Sequence, residues 1–337
     1  MTGTASFPPD AFGITSSIPI EIPLAAGRRV LDLNNRFVLA AQAGQYVRLA
    51  ERDGYPRTCC AWIRGLYGLI RSSGVRRVIF VTGGDCSNTH AMMETLARDL
   101  DELQTFAYPA SRDASDLSRE LDRFCQAFGI SRSAAEEAGK RLVPVRRALA
   151  ELDRMTWQEG TVTGAENHLW LVSSSDFNGD PDRFGQQLEE FLDRARSRKP
   201  VPIVGPRLGI LGVPPIQTDL LDLIERLGSR VVYNEIPRQF AMIGPAPDLV
   251  TRYLEFTYPY GGAPRMEDIA AETERRRIDG LIHYTQAFCH RQIHDILLRQ
   301  KLGIPILTIE GDAPGPCDAR TRLRLESFIE ILQERRT

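Results

Sequence analysis

Twice along this chain an apolar, β-branched run leads through a tight turn into a helical pattern and then into a second apolar run. In the first instance Arg76–Thr82 (RRVIFVT) turns at Gly83-Gly84-Asp85, enters a helical stretch at Ser87–Asp99 and reaches a short strand at Gln104–Tyr108. The second begins with a strand at Arg207–Leu211, a helix at Thr218–Leu227 and a strand at Arg230–Ile236. It continues with a helix at Arg265–Arg277, a strand at Asp279–Tyr284 (DGLIHY), a helical segment at Arg291–Lys301, a strand at Ile304–Ile309 and a last helix at Thr321–Arg335. Runs that are apolar on both faces and joined by helical crossovers are the pattern of parallel sheets. The predicted fold class is therefore α/β, with two Rossmann-like domains and parallel sheets.

Other segments fill in around these. Residues 1–27 are proline-rich and weakly patterned, Arg28–Leu33 reads as a short strand, and Arg36–Arg52 reads as a helix that stops at Gly54-Tyr55-Pro56. A further helix follows Cys60 and is closed near Ser73-Gly74. From Ala114 to Arg198 the pattern is helical throughout, with breaks near Gly129, Gly160 and Asn178-Gly179-Asp180-Pro181. The expected organisation is a first Rossmann-like unit with its N-terminal segment (1–112), a helical middle layer (113–200) and a second Rossmann-like unit (201–337). A chain of 337 residues has the length for two domains.

Composition narrows the function classes. A formal net charge of -2 gives no bulk attraction to nucleic acid or to an anionic membrane, so neither is expected as a partner. No window approaches the 18 or so apolar residues of a membrane span, and no basic stretch leads into an apolar secretory segment. A cytoplasmic location is expected. Six cysteines in a reducing compartment read as free thiols or metal ligands rather than disulfides.

Three of these cysteines occupy one kind of place. Cys60 opens a helix after a proline turn, Cys86 opens the helix that follows RRVIFVT, and Cys289 opens the segment that follows DGLIHY. Ligand sites in open parallel sheets form beyond the carboxyl ends of the strands, and a helix N-terminus favours a thiolate. Thiolates suit soft metals and iron–sulfur clusters. The competing reading for each cysteine is packing, because free cysteine is among the most buried residue types. Cys125, in LDRFCQAF, is assigned to packing, Cys317 to a Pro/Gly loop, and Cys59 is ambiguous. There is no CxxC pair, no GxGxxG, no GxxxxGK[ST] and no GxSxG, so zinc-ribbon, dinucleotide, P-loop and serine-hydrolase chemistry lack their motifs. His290 and His294 stand four apart without the glutamate of HExxH and read as a polar face. The aromatic run Phe256–Tyr260 suits either a pocket wall or loop packing.

In order along the chain, several segments resemble the D-component family of 2-hydroxyacyl-CoA dehydratases, which also takes in benzoyl-CoA reductase subunits and double-cubane-cluster proteins. Ile20-Glu21-Ile22-Pro23-Leu24-Ala25-Ala26-Gly27 looks like the family's N-terminal segment, and Cys60-Ala61-Trp62-Ile63-Arg64 resembles its first ligand motif. Cys86 with the helix holding MMETL resembles the second, and Gln286-Ala287-Phe288-Cys289-His290 the third, with one extra residue before the cysteine. Leu302–Asp312 and the helix from Thr321 to Phe328 are similar to its closing strand and helix. The resemblance implies a [4Fe–4S] cluster on Cys60, Cys86 and Cys289 with one iron left open, electrons from an ATP-dependent iron–sulfur activator, and oxygen-sensitive, anaerobic lyase or oxidoreductase chemistry. It implies a dimer, either of two copies or with a paralogous subunit, and a small-molecule or CoA-ester substrate. Double-cubane relatives carry extra cysteines near the places held here by Asn234–Arg238 and Tyr258–Gly262, which have none. A small-molecule reductase of that kind and a non-catalytic electron-relay or support subunit are the alternatives.

Three further residues are expected at the site. Glu21, among apolar neighbours, should face the cluster cavity with its pKa raised into acid/base range, with Arg64 and His90 as polar neighbours; all three are the candidate catalytic residues.

Overall fold

A computed structural model of the chain describes residues 7–201 and 204–336. The first six residues of the proline-rich N-terminal segment lie outside the described part. Eight strands form two four-stranded sheets. The first holds β1 (Phe12–Ile14), β2 (Val30–Asp32), β3 (Arg77–Gly83) and β4 (Glu102–Ala107), in the order β2-β1-β3-β4. The second holds β5 (Arg207–Gly212), β6 (Arg230–Asn234), β7 (Gly280–Thr285) and β8 (Ile306–Glu310), in the order β6-β5-β7-β8. Every pairing is parallel, so each sheet has its topological switch point between its first and third strands. The α/β class with two Rossmann-like parts is as the sequence predicts.

Three cores account for the layers. Val78 and Phe80 of β3 bury one face of the first sheet under the helices Ala43–Arg52 and Ala61–Ser72, and this core continues to Leu208, Ile210 and Ile282 of the second sheet. Gly68 lets those two helices approach: a Cβ there would lie 2.1 Å from the Tyr46 carbonyl oxygen. On the opposite face Phe12, Ile14, Ile79 and Phe106 pack against Leu117, Leu149 and Leu188 of the helical stretch, together with Leu249 and Tyr253 from the second half. Leu211, Val232 and Leu281 pack with Ile269 and Leu298 over the outer face of the second sheet. The middle stretch is helical throughout. Its helices start where side chains satisfy the exposed N–H groups: Asp113 before Ala114–Ala127, and a reciprocal Thr163/Glu166 pair before Gly164–Val172. Among the described residues no helix is long and apolar enough to cross a membrane.

Several expectations need correction. β1 lies inside the segment read as weakly patterned; only three residues long, it shows no alternation, yet all three are buried. The helix expected over Arg36–Arg52 is two helices, Leu33–Val38 and Ala43–Arg52. The strand expected to reach Ile236 stops at Asn234, whose amide donates to the Gly164 carbonyl and to Asn167. The chain then turns into the helix Glu235–Ala241, where Pro237 sits in the first turn and sacrifices no helical hydrogen bond. A helix at Leu249–Glu255, capped by Asp248, adds to the elements expected from sequence.

Candidate functional site: a thiol-lined cavity between the sheets

The switch points of both sheets open on one cavity of ≈ 340 Å³. Thr15 and Ser16 reach it from the end of β1, Cys86 from the turn after β3, Val213 and Pro214 from the end of β5, and Gln286, Cys289 and Arg291 from the segment after β7. Cys86 and Cys289 therefore follow the third strand of their respective sheets. Gly212 permits the turn at β5: its φ is +97°, and a Cβ there would lie 2.0 Å from the Tyr284 carbonyl oxygen.

Cys60, Cys86 and Cys289 all line this cavity, and each is the residue just before a helical segment: Ala61–Ser72, Ser87–Leu96 and the 3-10 turn His290–His294. The second unit holds Cys60's helix in place. Asp312 Oδ1 accepts the Ala61 N–H at 2.8 Å, and Gln286 Oε1 accepts the Trp62 N–H at 3.3 Å. Burial works against a thiolate at Cys60 and Cys86. Burial pushes Cys60 and Cys86 above the ordinary thiol range and outweighs the hydrogen bonds from the following backbone N–H groups. Bound metal reverses that preference, since a coordinating thiol is deprotonated outright.

The donor set in the cavity wall is three thiols. Among the described residues no three His, Cys, Asp or Glu side chains converge on one point as a single metal ion requires. Thiolates are the protein ligands that iron–sulfur centres take, each on a different iron. The remaining cysteines stand apart from the cavity lining. Cys59 is buried in the first core, and burial pushes its thiol up to about 11. Cys125 is buried in the second core, as expected from its apolar helical setting. Cys317 is half-buried in its loop, with its N–H on Asp219 at 2.7 Å.

The three residues expected beside the thiols are not in the cavity wall. Glu21 is fully buried on the far face of the first sheet, 2.7 Å from Arg146 Nη2, and accepts the Tyr253 hydroxyl at 2.7 Å. Burial alone would raise its pKa, but Arg146 and these hydrogen bonds hold the carboxyl below its ordinary value, the reverse of the expectation. Arg64 is buried behind the cavity between Glu51 and Asp312, with Nη2 2.7 Å from Asp312 Oδ2. His90 is exposed on the outer side of its helix, 3.9 Å from Glu94. Thr89, one residue earlier, is the one on the cavity side, donating to Asp85 at 3.1 Å.

Other residues fill the wall instead. Asp32 caps the helix Leu33–Val38 there, and Ser175 donates to it at 2.6 Å. Its neighbour Asp176 accepts the Asp32 N–H at 2.6 Å, and burial together with Asp32 pushes the Asp176 carboxyl up to about 7. Burial drives His168 down to about 4, so this lining imidazole is neutral. From the aromatic run, Tyr258 reaches the cavity while Phe256 and Tyr260 are buried in the second core. Phe288 stands at the rim, 78% exposed and at a φ of 54°. A side pocket of ≈ 240 Å³ shares Asn35, Val38, His168, Val172 and Pro215 with the main cavity.

Fold and site together define a two-unit α/β protein whose paired switch points enclose a thiol-lined crevice, the usual place for ligands in such sheets. Residues 15–332 match the description 2-hydroxyglutaryl-CoA dehydratase, D-component, and the chain belongs to that family. It is thus a 2-hydroxyacyl-CoA dehydratase-type enzyme component. No curated protein matches the chain.

Proposed function

We propose that this chain is the iron–sulfur subunit of a 2-hydroxyacyl-CoA dehydratase-type enzyme, with Cys60, Cys86 and Cys289 holding a [4Fe–4S] cluster. The observation that carries the reading is that these three thiols, drawn from two separate sheets, line one cavity at the switch points. Three protein ligands on four irons leave one iron free for a substrate oxygen, and low-potential one-electron reduction is the chemistry the cluster supplies when bound. The chain's own residues then bind and orient. Tyr258, Trp62 and Val213 line the cavity, and the neutral His168 stands where the side pocket joins it. That junction gives an elongated ligand such as a thioester room on both sides.

The reading includes a partner subunit, either a second copy or a paralogue, and electrons from an ATP-dependent iron–sulfur activator. Its test is EPR on anaerobically purified, reduced protein, with and without a 2-hydroxyacyl-CoA. A [4Fe–4S] signal that changes on adding the thioester supports an open iron in the substrate cavity. A signal that ignores every thioester while the cluster is intact would favour an electron-relay subunit.

A further inference from the structure

Two neutral N–H donors in the cavity wall have no acceptor among the described residues. Gln286 is 1% exposed. Its Oε1 accepts the Trp62 backbone N–H at 3.3 Å, which sets the orientation of the amide, because only the oxygen can accept. That leaves Gln286 Nε2 buried with no hydrogen bond, and the indole Nε1–H of Trp62 is buried and unanswered in the same way. Both residues line the thiol cavity. The Trp62 ring is restrained by an edge-to-face contact with Phe37, with centroids 5.5 Å apart. His168 also lines the cavity with an unpartnered ring nitrogen, but it belongs to the helix Gly164–Val172 where the side pocket joins.

Trp62 and Gln286, by contrast, stand on the segments that carry the thiols. Trp62 lies in the first turn of the helix that Cys60 precedes. Gln286 comes just before Cys289, and its carbonyl accepts the Cys289 N–H at 3.0 Å. Through its backbone on one side and its side chain on the other, Gln286 therefore ties the segment of Cys289 to the segment of Cys60. A buried N–H without an acceptor costs about 1–3 kcal/mol, and most buried N–H groups find one. An acceptor that lies against both segments is the centre their thiolates hold. Such a centre is anionic, and it gains one more negative charge on reduction. Hydrogen bonds to its sulfur atoms therefore favour the reduced form, and they are one of the levers that set the potential of iron–sulfur centres.

We infer that Gln286 Nε2 and Trp62 Nε1 donate hydrogen bonds to sulfur atoms of the centre held by Cys60, Cys86 and Cys289, and so raise its reduction potential. This rests on the cluster reading and deepens it. Neither residue ligates iron; both act through the centre, by setting how readily it accepts an electron.

The test is an EPR-monitored redox titration of the anaerobic full chain, as wild type, Trp62→Phe and Gln286→Met, with iron and sulfide measured on every sample. Trp62→Phe keeps a ring against Phe37 and the backbone contact to Gln286, and removes only the indole N–H. At iron content equal to wild type, each variant should shift the reduction equilibrium about tenfold toward the oxidised form, a potential about 59 mV lower for a one-electron couple. Proton ENDOR on the reduced wild type, reconstituted in H2O and in D2O, should show an exchangeable coupling that Trp62→Phe lacks. Should Gln286→Met lose iron because it also drops the acceptor for the Trp62 N–H, Trp62→Phe decides alone. Unshifted potentials at full iron overturn the inference and leave the cluster standing. Loss of iron in Trp62→Phe also overturns it, because the ring is then a structural support. Wild type that stays iron-free after anaerobic reconstitution sinks the cluster reading itself, and this inference with it.

Discussion

Arg64 Nη2 lies 2.7 Å from Asp312 Oδ2, and this ion pair ties the helix behind Cys60 to the segment that follows the last strand of the second sheet. The same carboxylate takes the Ala61 N–H, so one residue of the second unit fixes both the start and the first turn of that helix. Arg64 thus acts on the cavity through the placement of Cys60. Arg64→Met leaves the half-buried Asp312 without its cation and should lower stability by about 1–2 kcal/mol, read as a fall in the urea midpoint at unchanged slope. Asp312→Asn should weaken the same contact and lower iron content with it. A variant with full stability and full iron would remove this positioning role.

Glu21 and Arg146 form a buried pair of a different kind, on the face of the first sheet away from the thiols. Glu21→Gln should cost about 3 kcal/mol through the stranded Arg146, while iron content and ligand binding in the folded protein stay as in wild type. The pH dependence has a definite sign. The folded pKa of Glu21 lies below its ordinary value of 4.5, so its stabilisation is present above that value and disappears as pH falls through the folded pKa. The stability gap between wild type and Glu21→Gln should therefore narrow as pH drops from 6 to 3. A gap that widens on acidification contradicts this placement.

Asp176 carries the opposite sign. Its carboxyl titrates at about 7 in the folded chain against 3.8 ordinarily, because it is buried beside Asp32. The folded state binds the extra proton, so wild type loses stability as pH rises from about 4 to 7. Asp176→Asn lacks that titration. Its melting temperature relative to wild type should rise between pH 5 and pH 8, and a flat difference across that range would count against a protonated Asp176.

Much of this architecture could be read before the structure, and what escaped has physical reasons. RRVIFVT and DGLIHY declare themselves as buried strands because both faces are covered, and the cysteines after them follow from where such strands end. β1 escaped because three residues are too few to show a period. Glu235–Ala241 escaped because Ile236 extends an apolar run that the helix actually interrupts. The role of Glu21 escaped because its partners, Arg146 and Tyr253, lie 125 and 232 residues away. A carboxylate among apolar residues looks the same in sequence whether it meets a cavity or a buried arginine. His90 stands one helical turn past Cys86, but Cys86 precedes the helix, and Ser87, Asn88 and Thr89 line the cavity instead. The donors without acceptors on Gln286 and Trp62 have no signature in sequence; they emerge only from an account of every buried polar atom.

The cysteines themselves divide by position. Cys125→Ala removes a small buried side chain from the second core and should cost on the order of 1 kcal/mol, with no loss of iron. Cys59→Ala should behave in the same way, because its side chain packs in the first core outside the cavity lining. Iron analysis beside thermal melts on both variants checks the division, and loss of iron in either would add that residue to the ligand set.

Iron and acid-labile sulfide per chain, measured anaerobically on wild type and on the single variants Cys60→Ser, Cys86→Ser and Cys289→Ser, tests the central claim most directly. The account predicts about four irons and four sulfides in wild type, the content of one [4Fe–4S] centre, and a severe loss in each variant, since a hydroxyl is a harder and far less acidic ligand than a thiolate. Natively folded wild type that stays iron-free after anaerobic reconstitution, or a Cys289→Ser protein that keeps its full iron, would contradict it.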